Sequence, residues 1–572
     1  MHFIILDEQI KFVQIMKTSQ LKAFLPVVLL LCSLSTFAQQ RNDADNLSKP
    51  QSWQLLDYQH DSVYGASVQR AYDELLKGRK SRPVIVAVID AGVDITHEDL
   101  QGHIWTNQNE VPGNGIDDDK NGYTDDIHGW NFLGGKDGKM MYATSSEADR
   151  EYARLLPEYK GVKDSSEVTD KARYKYFLRA KNKHVLDSTA RKNGGNYERV
   201  AATIAKLDSA NTFMKQVTKK QAIYYNDVES FKPEDSLGIT TKSVLSGFYN
   251  LRPQDRQISL DSSIRGGKEF LVTLQQEQSW YKILKDDPYQ LRKEIVGDDP
   301  FDIKDNHYGN NIVGDQYADH GTHCAGIIAA ARNNGLGISG VADNVLIMPV
   351  RAVNSASYGD EMDKDIALAI RYAVDNGARI ISMSFGKNFS PQKGWVDDAV
   401  KYAEAKGVLL VHAASNEHEN NDSIPAYPTA GFLDSSGRAK TLLSVGAVSI
   451  DTGFALPASF SNYGQREVDL FAPGVNIYSA TPENTYRNMS GTSMATPVVA
   501  GIAALILEYY PNLSGEQVKN ILMQSVTSLK GKMVYKPGKG IKADFSTLCV
   551  SGGVVNAYKA LLLAAKASSG TK

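Results

Sequence analysis

The sequence predicts an α/β fold, a parallel sheet with helices on both faces, interrupted by a mainly α-helical insert. Three observations predict it. Short runs such as Arg82–Asp90 (RPVIVAVID) and Val408–Ser415 (VLLVHAAS) are continuously apolar rather than alternating, as strands buried on both faces are. From about residue 305 to 565 such runs alternate with amphipathic helices, the pattern of βαβ units. Between residues 140 and 304 the texture changes to a charged, tyrosine-rich chain with long helical periodicities and few glycines.

Taken in order, the chain opens on an export signal. Lys17 and Lys22 precede a short apolar run, Ala23–Leu34, and Thr36-Phe37-Ala38 has the small-x-small form of a cleavage site. Met16 can serve as the functional start. The apolar run is too short to span a bilayer, so no transmembrane anchor is expected. Residues 1–38 are assigned to this signal, and export to the periplasm, the cell surface or the medium follows. Residues 39–80 form a short pro or leading segment. Residues 81–139 hold the first part of the α/β domain, the strand ending at Asp90 and a loop rich in Asp, Asn and Gly.

The insert, 140–304, differs in charge. Residues 141–300 carry 27 basic and 23 acidic side chains in a protein of net charge −3, and Lys171–Lys220 alone has 13 basic and 3 acidic. The stretch KARYKYFLRAKNKHVLDSTARK reads as a basic amphipathic helix. Residues 305–565 are the second part of the α/β domain, with a tail at 566–572. Here Asp363–Gly377 and Trp395–Gly407 are helices stopped by a C-terminal glycine. Arg379–Phe385 (RIISMSF) is a strand.

Composition bounds the function. The net charge of −3 argues against a dedicated nucleic-acid binder. Three cysteines are no disulfide scaffold. Cys324 lies in an apolar helical run and reads as a small buried hydrophobe, so a bridge to Cys549 is not expected.

The chemistry gathers at NMSGTSMATPVVAGIAALIL, Asn488–Leu507. Ser493 sits at the start of an apolar helix, where free backbone N–H groups and the positive dipole end favour a developing oxyanion. A serine hydroxyl needs a base, and His320 opens another small-residue helix in YADHGTHCAG. The base needs an orienting carboxylate, and Asp90 ends a buried strand at the edge where open parallel sheets hold ligands. A lone serine at a helix start is usually an N-cap; three motifs in the order Asp, His, Ser argue otherwise. His97 reads as a structural neighbour, and His323 as a packing residue one turn past His320.

These segments resemble the subtilisin-like serine peptidases, the subtilases. HGTHCAG (320–326) and GTSMATPVVAG (491–501) match that family's motifs almost letter for letter. DLFAPGVNIYSA (469–480), ASFSNYG (458–464) and NNGLGISGVADNVLIMPVRAV (333–353) are similar to it as well. The resemblance covers about 81–135 and 305–560. It implies a subtilisin-like sheet and an exported serine endopeptidase acting on protein or peptide substrates. Asp90, His320 and Ser493 would form the triad, and Asn416 would be the side-chain oxyanion donor. Ser384-Phe385-Gly386 would be the edge strand that pairs with substrate, and Ala413-Ala414-Ser415 one wall of the P1 pocket. Ser415 stands where the family usually has glycine. A monomer is expected. A catalytically silent peptide-binding scaffold and a peptide ligase of the same chemistry are the alternatives.

A second site is a structural Ca²⁺ loop. Asp117, Asp119, Asn121, Gly122 and the Tyr123 carbonyl have the 1-3-5-6-7 spacing of an EF-hand-type loop. The twelfth position is His128, so Asp125 and Asp126 are expected to close the shell. The insert leaves and rejoins the domain near the catalytic edge. Little chain before Asp90 remains for a folding assistant, so the insert is expected to share that work and to govern access to the cleft.

Overall fold

The computed structural model describes residues 52–569, apart from 193–196, 252–258, 285–286 and 357–358. The signal segment and residues 39–51 lie outside the described residues. In chain order the strands are β1 (Val84–Asp90), β2 (Trp130–Asn131), β3 (Val345–Arg351), β4 (Ile380–Met383), β5 (Leu409–Ala413), β6 (Leu442–Val448), β7 (Leu470–Pro473), β8 (Ile477–Thr481), β9 (Thr485–Met489), β10 (Thr527–Ser528), β11 (Met533–Tyr535), β12 (Lys542–Asp544) and β13 (Gly553–Val554). The longer helices are α1 (Glu147–Tyr159), α2 (Lys171–Lys192), α3 (Tyr197–Thr218), α4 (Ser236–Leu251), α5 (Leu260–Ile283), α6 (Asp319–Ala329), α7 (Asp363–Asp375), α8 (Lys393–Ala405), α9 (Thr492–Tyr509), α10 (Gly515–Gln524) and α11 (Ala557–Ser569).

Nine strands form one sheet, ordered β10-β13-β7-β6-β5-β4-β1-β3-β2. It is parallel except where β10 runs against β13. The apolar runs are strands because both faces are covered. Val86 and Val88 of β1 pack into a core with α6, α9 and α11, while Ala87 and Ile89 pack into another with α7 and α8. Gly377 and Gly407, which end α7 and α8, have φ of 85° and 71°. That is the left-handed cap a glycine adopts without a Cβ clash.

Helix α9 is the central strut. It is long and apolar enough to cross a membrane, but 89% of that apolar stretch is buried inside the fold. Ile502, Leu505, Ile506 and Leu507 are each at most 1% exposed. Fully burying such a side chain contributes about 1.5–3 kcal/mol. The serine at its N-terminus is therefore carried by one of the best-anchored elements of the molecule.

The leading segment is built into this core. Trp53, Leu55, Tyr64, Val68 and Leu76 pack with Val475 and Leu561. The Trp53 indole donates to the Val475 carbonyl at 3.1 Å, and Asn556 Nδ2 donates to Ser67 Oγ at 2.8 Å.

The insert is not one helical body. The chain divides into two compact units, one including residues 196–274 and the other comprising 49–195 with 275–572. In the first, α3, α4 and the start of α5 enclose a small core of Val200, Ile204, Leu207, Met214, Leu245, Tyr249 and Ile264. Helices α1 and α2 belong to the second unit, with the sheet. Tyr174, Phe177 and Ala180 of α2 are buried, so the basic helix presents an apolar face inward.

Two buried ionic clusters fix the ends of the insert to the sheet unit. On the outgoing side, Lys387 Nζ bonds Glu147 Oε2 at 2.7 Å, Asp363 Oδ1 at 3.0 Å and the Glu361 carbonyl at 2.7 Å. Arg150 forms a two-pronged pair with Glu147 at 3.0 and 2.9 Å. Burial opposes ionisation of Glu147, but Arg150 and Lys387 hold its carboxyl down at about 2. On the returning side, Arg292 bonds Asp298 and Asp365, each through two contacts of 2.7–2.8 Å. Lys364 reaches Asp298 at 2.7 Å. Removing one member of such a cluster strands a buried charge. Arg292→Met is expected to destabilise the fold by about 3–5 kcal/mol, read as a fall in the urea unfolding midpoint. An unchanged midpoint would contradict this account.

Candidate active site

Three separate elements end at one place. Asp90 is the last residue of β1 and 1% exposed. Its Oδ1 accepts the Ala91 N–H at 2.7 Å and meets His320 Nδ1 at 2.8 Å, although the two residues are 230 apart in sequence. His320 is the second residue of α6. Gly321 follows because the helix meets the strand end there: a Cβ on it would lie 2.0 Å from the Gly92 carbonyl oxygen. Cys324, one turn on, shares the face of His320, and its Sγ donates to the Ser493 carbonyl at 3.5 Å. The Asp90, His320 and Cys324 ligand atoms lie within 4.8 Å of one another. The side chains of β1 and α6 thus converge on the first turn of α9, which carries Ser493.

Burial of the imidazole opposes its protonation. The charge and hydrogen bond of Asp90 outweigh that, and the pKa of His320 is raised above its ordinary value. Asp90 stabilises the imidazolium while fixing the tautomer that leaves Nε2 as the acceptor. Burial pushes the Cys324 thiol well above its usual range, and Cys324 and Cys549 are both free and buried. His323 is buried and bonds the Arg487 carbonyl at 3.1 Å. Burial and Arg487 lower its pKa to about 3, so it packs as a neutral ring. His97 is likewise tied up, accepting the Asp99 N–H at 3.1 Å and lying 3.2 Å from the Thr485 carbonyl.

The serine hydroxyl is held against the neighbouring chain. Ser493 Oγ donates to the Ser384 carbonyl at 3.1 Å, and Ser384 Oγ donates back to the Ser493 carbonyl at 2.9 Å. Among the described residues Ser493 Oγ has no hydrogen bond to His320. Asn416 Oδ1 accepts from the Thr492 N–H at 2.9 Å and from Thr492 Oγ1 at 3.0 Å. With the oxygen engaged, the Nδ2 donor faces the serine. A Cβ built on Gly491 would be 3.6 Å from Asn416 Nδ2, 3.5 Å from Ser493 N and 3.7 Å from Ser493 Cβ. Gly491 keeps that volume open, and two donors border it.

The remaining site residues are backbone or wall. Phe385 packs its ring into the core, 6.2 Å from His412. Ala413 and Ala414 are buried in the sheet, and Ser415 has φ 81°. Lys387, Glu147 and Ser384 Oγ were not signalled by sequence, because their roles depend on residues far away in the chain.

The acidic loop is also assembled. Asp119 and Asp126 approach Glu110 with their carboxylate oxygens within 4.8 Å. Burial pushes Asp126 up to about 6, while Tyr372, Asn107 and Asn121 hydrogen-bond to it. Asn121 Nδ2 donates to both Asp119, at 3.2 Å, and Asp126, at 3.1 Å. Asp117 accepts the Asn121 and Gly122 N–H groups at 3.1 and 2.8 Å. Asp125 accepts those of Asn114 and Gly115 at 3.2 and 2.9 Å, and the Tyr123 ring packs on Trp130 and Tyr372. Glu110 lies outside any loop spacing rule. This all-oxygen, carboxylate-rich donor set fits a hard divalent cation.

The chain matches the profile of the subtilase family over residues 81–540. It belongs to the subtilases. It is 39% identical to subtilisin DY of Bacillus licheniformis over 222 residues, 39% of this chain and 74% of that protein. It is 37% identical to subtilisin Savinase of Lederbergia lenta, over 38% of this chain and 74% of that protein. The solved structure of a prenylagaramide maturation protease is 29% identical, with a TM-score of 0.35, over 43% of this chain and 82% of that one. The subtilase is a serine protease on an α/β sheet, and its substrates are proteins or peptides.

As a general base His320 would have to be neutral, so its raised pKa is expected to place the acid limb of kcat/KM above the ordinary histidine value of about 6.5. Asp90→Asn is expected to move that limb down and to lower kcat by about 10⁴-fold. A limb below 6 in the wild type would contradict the pairing.

Proposed function

We propose that the subtilase is an exported endopeptidase that cleaves peptide bonds through a Ser493 acyl-enzyme. The observation that carries this reading is the Asp90–His320 bond at 2.8 Å beside a helix-borne serine flanked by two donors. His320 takes the Ser493 proton as Oγ attacks the carbonyl carbon. Asn416 Nδ2 and the Ser493 N–H hold the oxyanion. His320 then protonates the leaving amine, and water, deprotonated by the same ring, releases the acyl group. Ser384–Gly386 offers backbone groups for an extended substrate, and Ala413–Ser415 walls its P1 side chain.

Asp125 is engaged by the 114–115 turn, whereas Glu110, Asp119 and Asp126, with Asp117, Asn121 and the Tyr123 carbonyl around them, would hold a structural Ca²⁺. Its charge would offset the crowding of carboxylates in this loop. The ion takes no part in the chemistry above.

Three experiments test this. Intact-mass analysis after fluorophosphonate treatment should show one adduct on the wild type and none on Ser493→Ala; a folded but unlabelled wild type would favour the silent scaffold. Asn416→Ala should keep the label but lose about 10²–10³ in kcat, a scale established on subtilisin itself. Chelation should lower Tm. At a Ca²⁺ concentration 100 times Kd, the ion contributes about 2.7 kcal/mol, and Asp119→Ala should abolish the difference. Equal Tm with and without chelator in the wild type would remove the metal from the account.

A further inference from the structure

We propose that the P1 slot accepts only small side chains, glycine, alanine or serine, because Ser415 fills it. This rests on the acyl-enzyme reading above. With the acyl carbonyl on Ser493 and its oxygen toward Asn416, the P1 side chain must enter between the segment 384–386 and the segment 413–416, which flank the nucleophile. That gap is occupied. A Cβ built on Gly386 would lie 2.8 Å from Ser415 Oγ, 3.4 Å from His412 Nε2 and 3.4 Å from the Tyr427 carbonyl oxygen. The Ser415 hydroxyl therefore stands in the space beside Gly386, and a buried imidazole ring borders the same space. His412 is 1% exposed and its Nε2 has no partner among the described residues. Burial lowers its pKa to about 4, so the ring is neutral at working pH.

Neither wall is free to retreat. The Ala414 and Ser415 carbonyls accept from Asn421 Nδ2 and the Asn462 N–H, each at 2.9 Å. Across the slot, Lys387 pairs backbone to backbone with Tyr427, and its ammonium is buried on Glu147 and Asp363. The outgoing end of the insert thus helps set the width of the slot through α1. Ser415 holds φ 81°, a conformation that costs a non-glycine residue energy. A glycine there would relieve the strain and vacate the slot; an alanine would remove the hydroxyl but keep the strain and the Cβ.

The test compares two peptide anilides that differ only at P1, alanine against phenylalanine, on the full chain and its variants. Wild type is expected to prefer alanine by at least about 10²-fold in kcat/KM. Ser415→Gly should shrink that ratio tenfold or more by raising turnover of the phenylalanine substrate, and Ser415→Ala, which removes the hydroxyl alone, should shrink it by less. Wild-type turnover of the phenylalanine substrate at a comparable rate overturns the proposal, as does a ratio unmoved by Ser415→Gly. Fluorophosphonate labelling of the same preparations separates the two readings. Labelling with no cleavage of the alanine substrate overturns the small-residue assignment alone, and no labelling overturns the acyl-enzyme reading with it.

Discussion

The hydrogen bond between Asp90 and His320 joins the end of the sheet's central region to a helix that the chain reaches only 230 residues later. Every other feature of the site presupposes that closure. The entropic cost of closing a loop grows slowly, by about 0.6 kcal/mol for each doubling of length. A long insertion is therefore tolerable, provided that its ends are pinned. Here they are pinned by charge: Glu147 on Arg150 and Lys387 as the chain leaves, Arg292 on Asp298 and Asp365 as it returns.

Those clusters are an unusual choice for a pin. A buried ion pair stabilises little relative to a well-packed apolar one, because desolvation takes back most of the Coulombic gain. What it supplies is register. Glu147 is fully committed to Arg150 and Lys387, so α1 has one seat, and Lys387 follows Gly386 by a single residue. The outgoing end of the insert is thereby tied to the backbone segment that runs beside Ser493.

The site itself is a division of labour between rigid elements. Strand β1 presents a buried carboxylate, α6 a half-exposed imidazole, and α9 a serine at the end of a helix that is almost wholly inside the core. Gly321 and Gly491 allow these elements to come close. A Cβ on Gly321 would strike the Gly92 carbonyl oxygen at 2.0 Å, and one on Gly491 would stand beside Asn416 Nδ2 and Ser493 N, at 3.6 and 3.5 Å. Burial disfavours the charged form of all three histidines, but the net shifts differ. His320 is raised because a carboxylate faces it, whereas His323 and His412 are lowered because none does.

The sequence by itself determined the sheet, its covering helices and the three motif residues. Short continuous apolar runs bounded by turn residues and alternating with amphipathic helices fit strands buried on both faces, and helix-start serine and histidine motifs carry their context within ten residues. The free state of Cys324 and the packing roles of His97 and His323 were legible for the same local reason. The tertiary structure alone decided the rest. It split the insert, seating α1 and α2 with the sheet and leaving 196–274 as its own unit. It brought Glu110 to Asp119 and Asp126, and turned Asp125 toward the 114–115 turn. It also aimed Ser415 at Gly386. Each of these depends on a partner distant in the chain, and a side chain's direction across a gap is set by packing, which no local pattern of residues encodes.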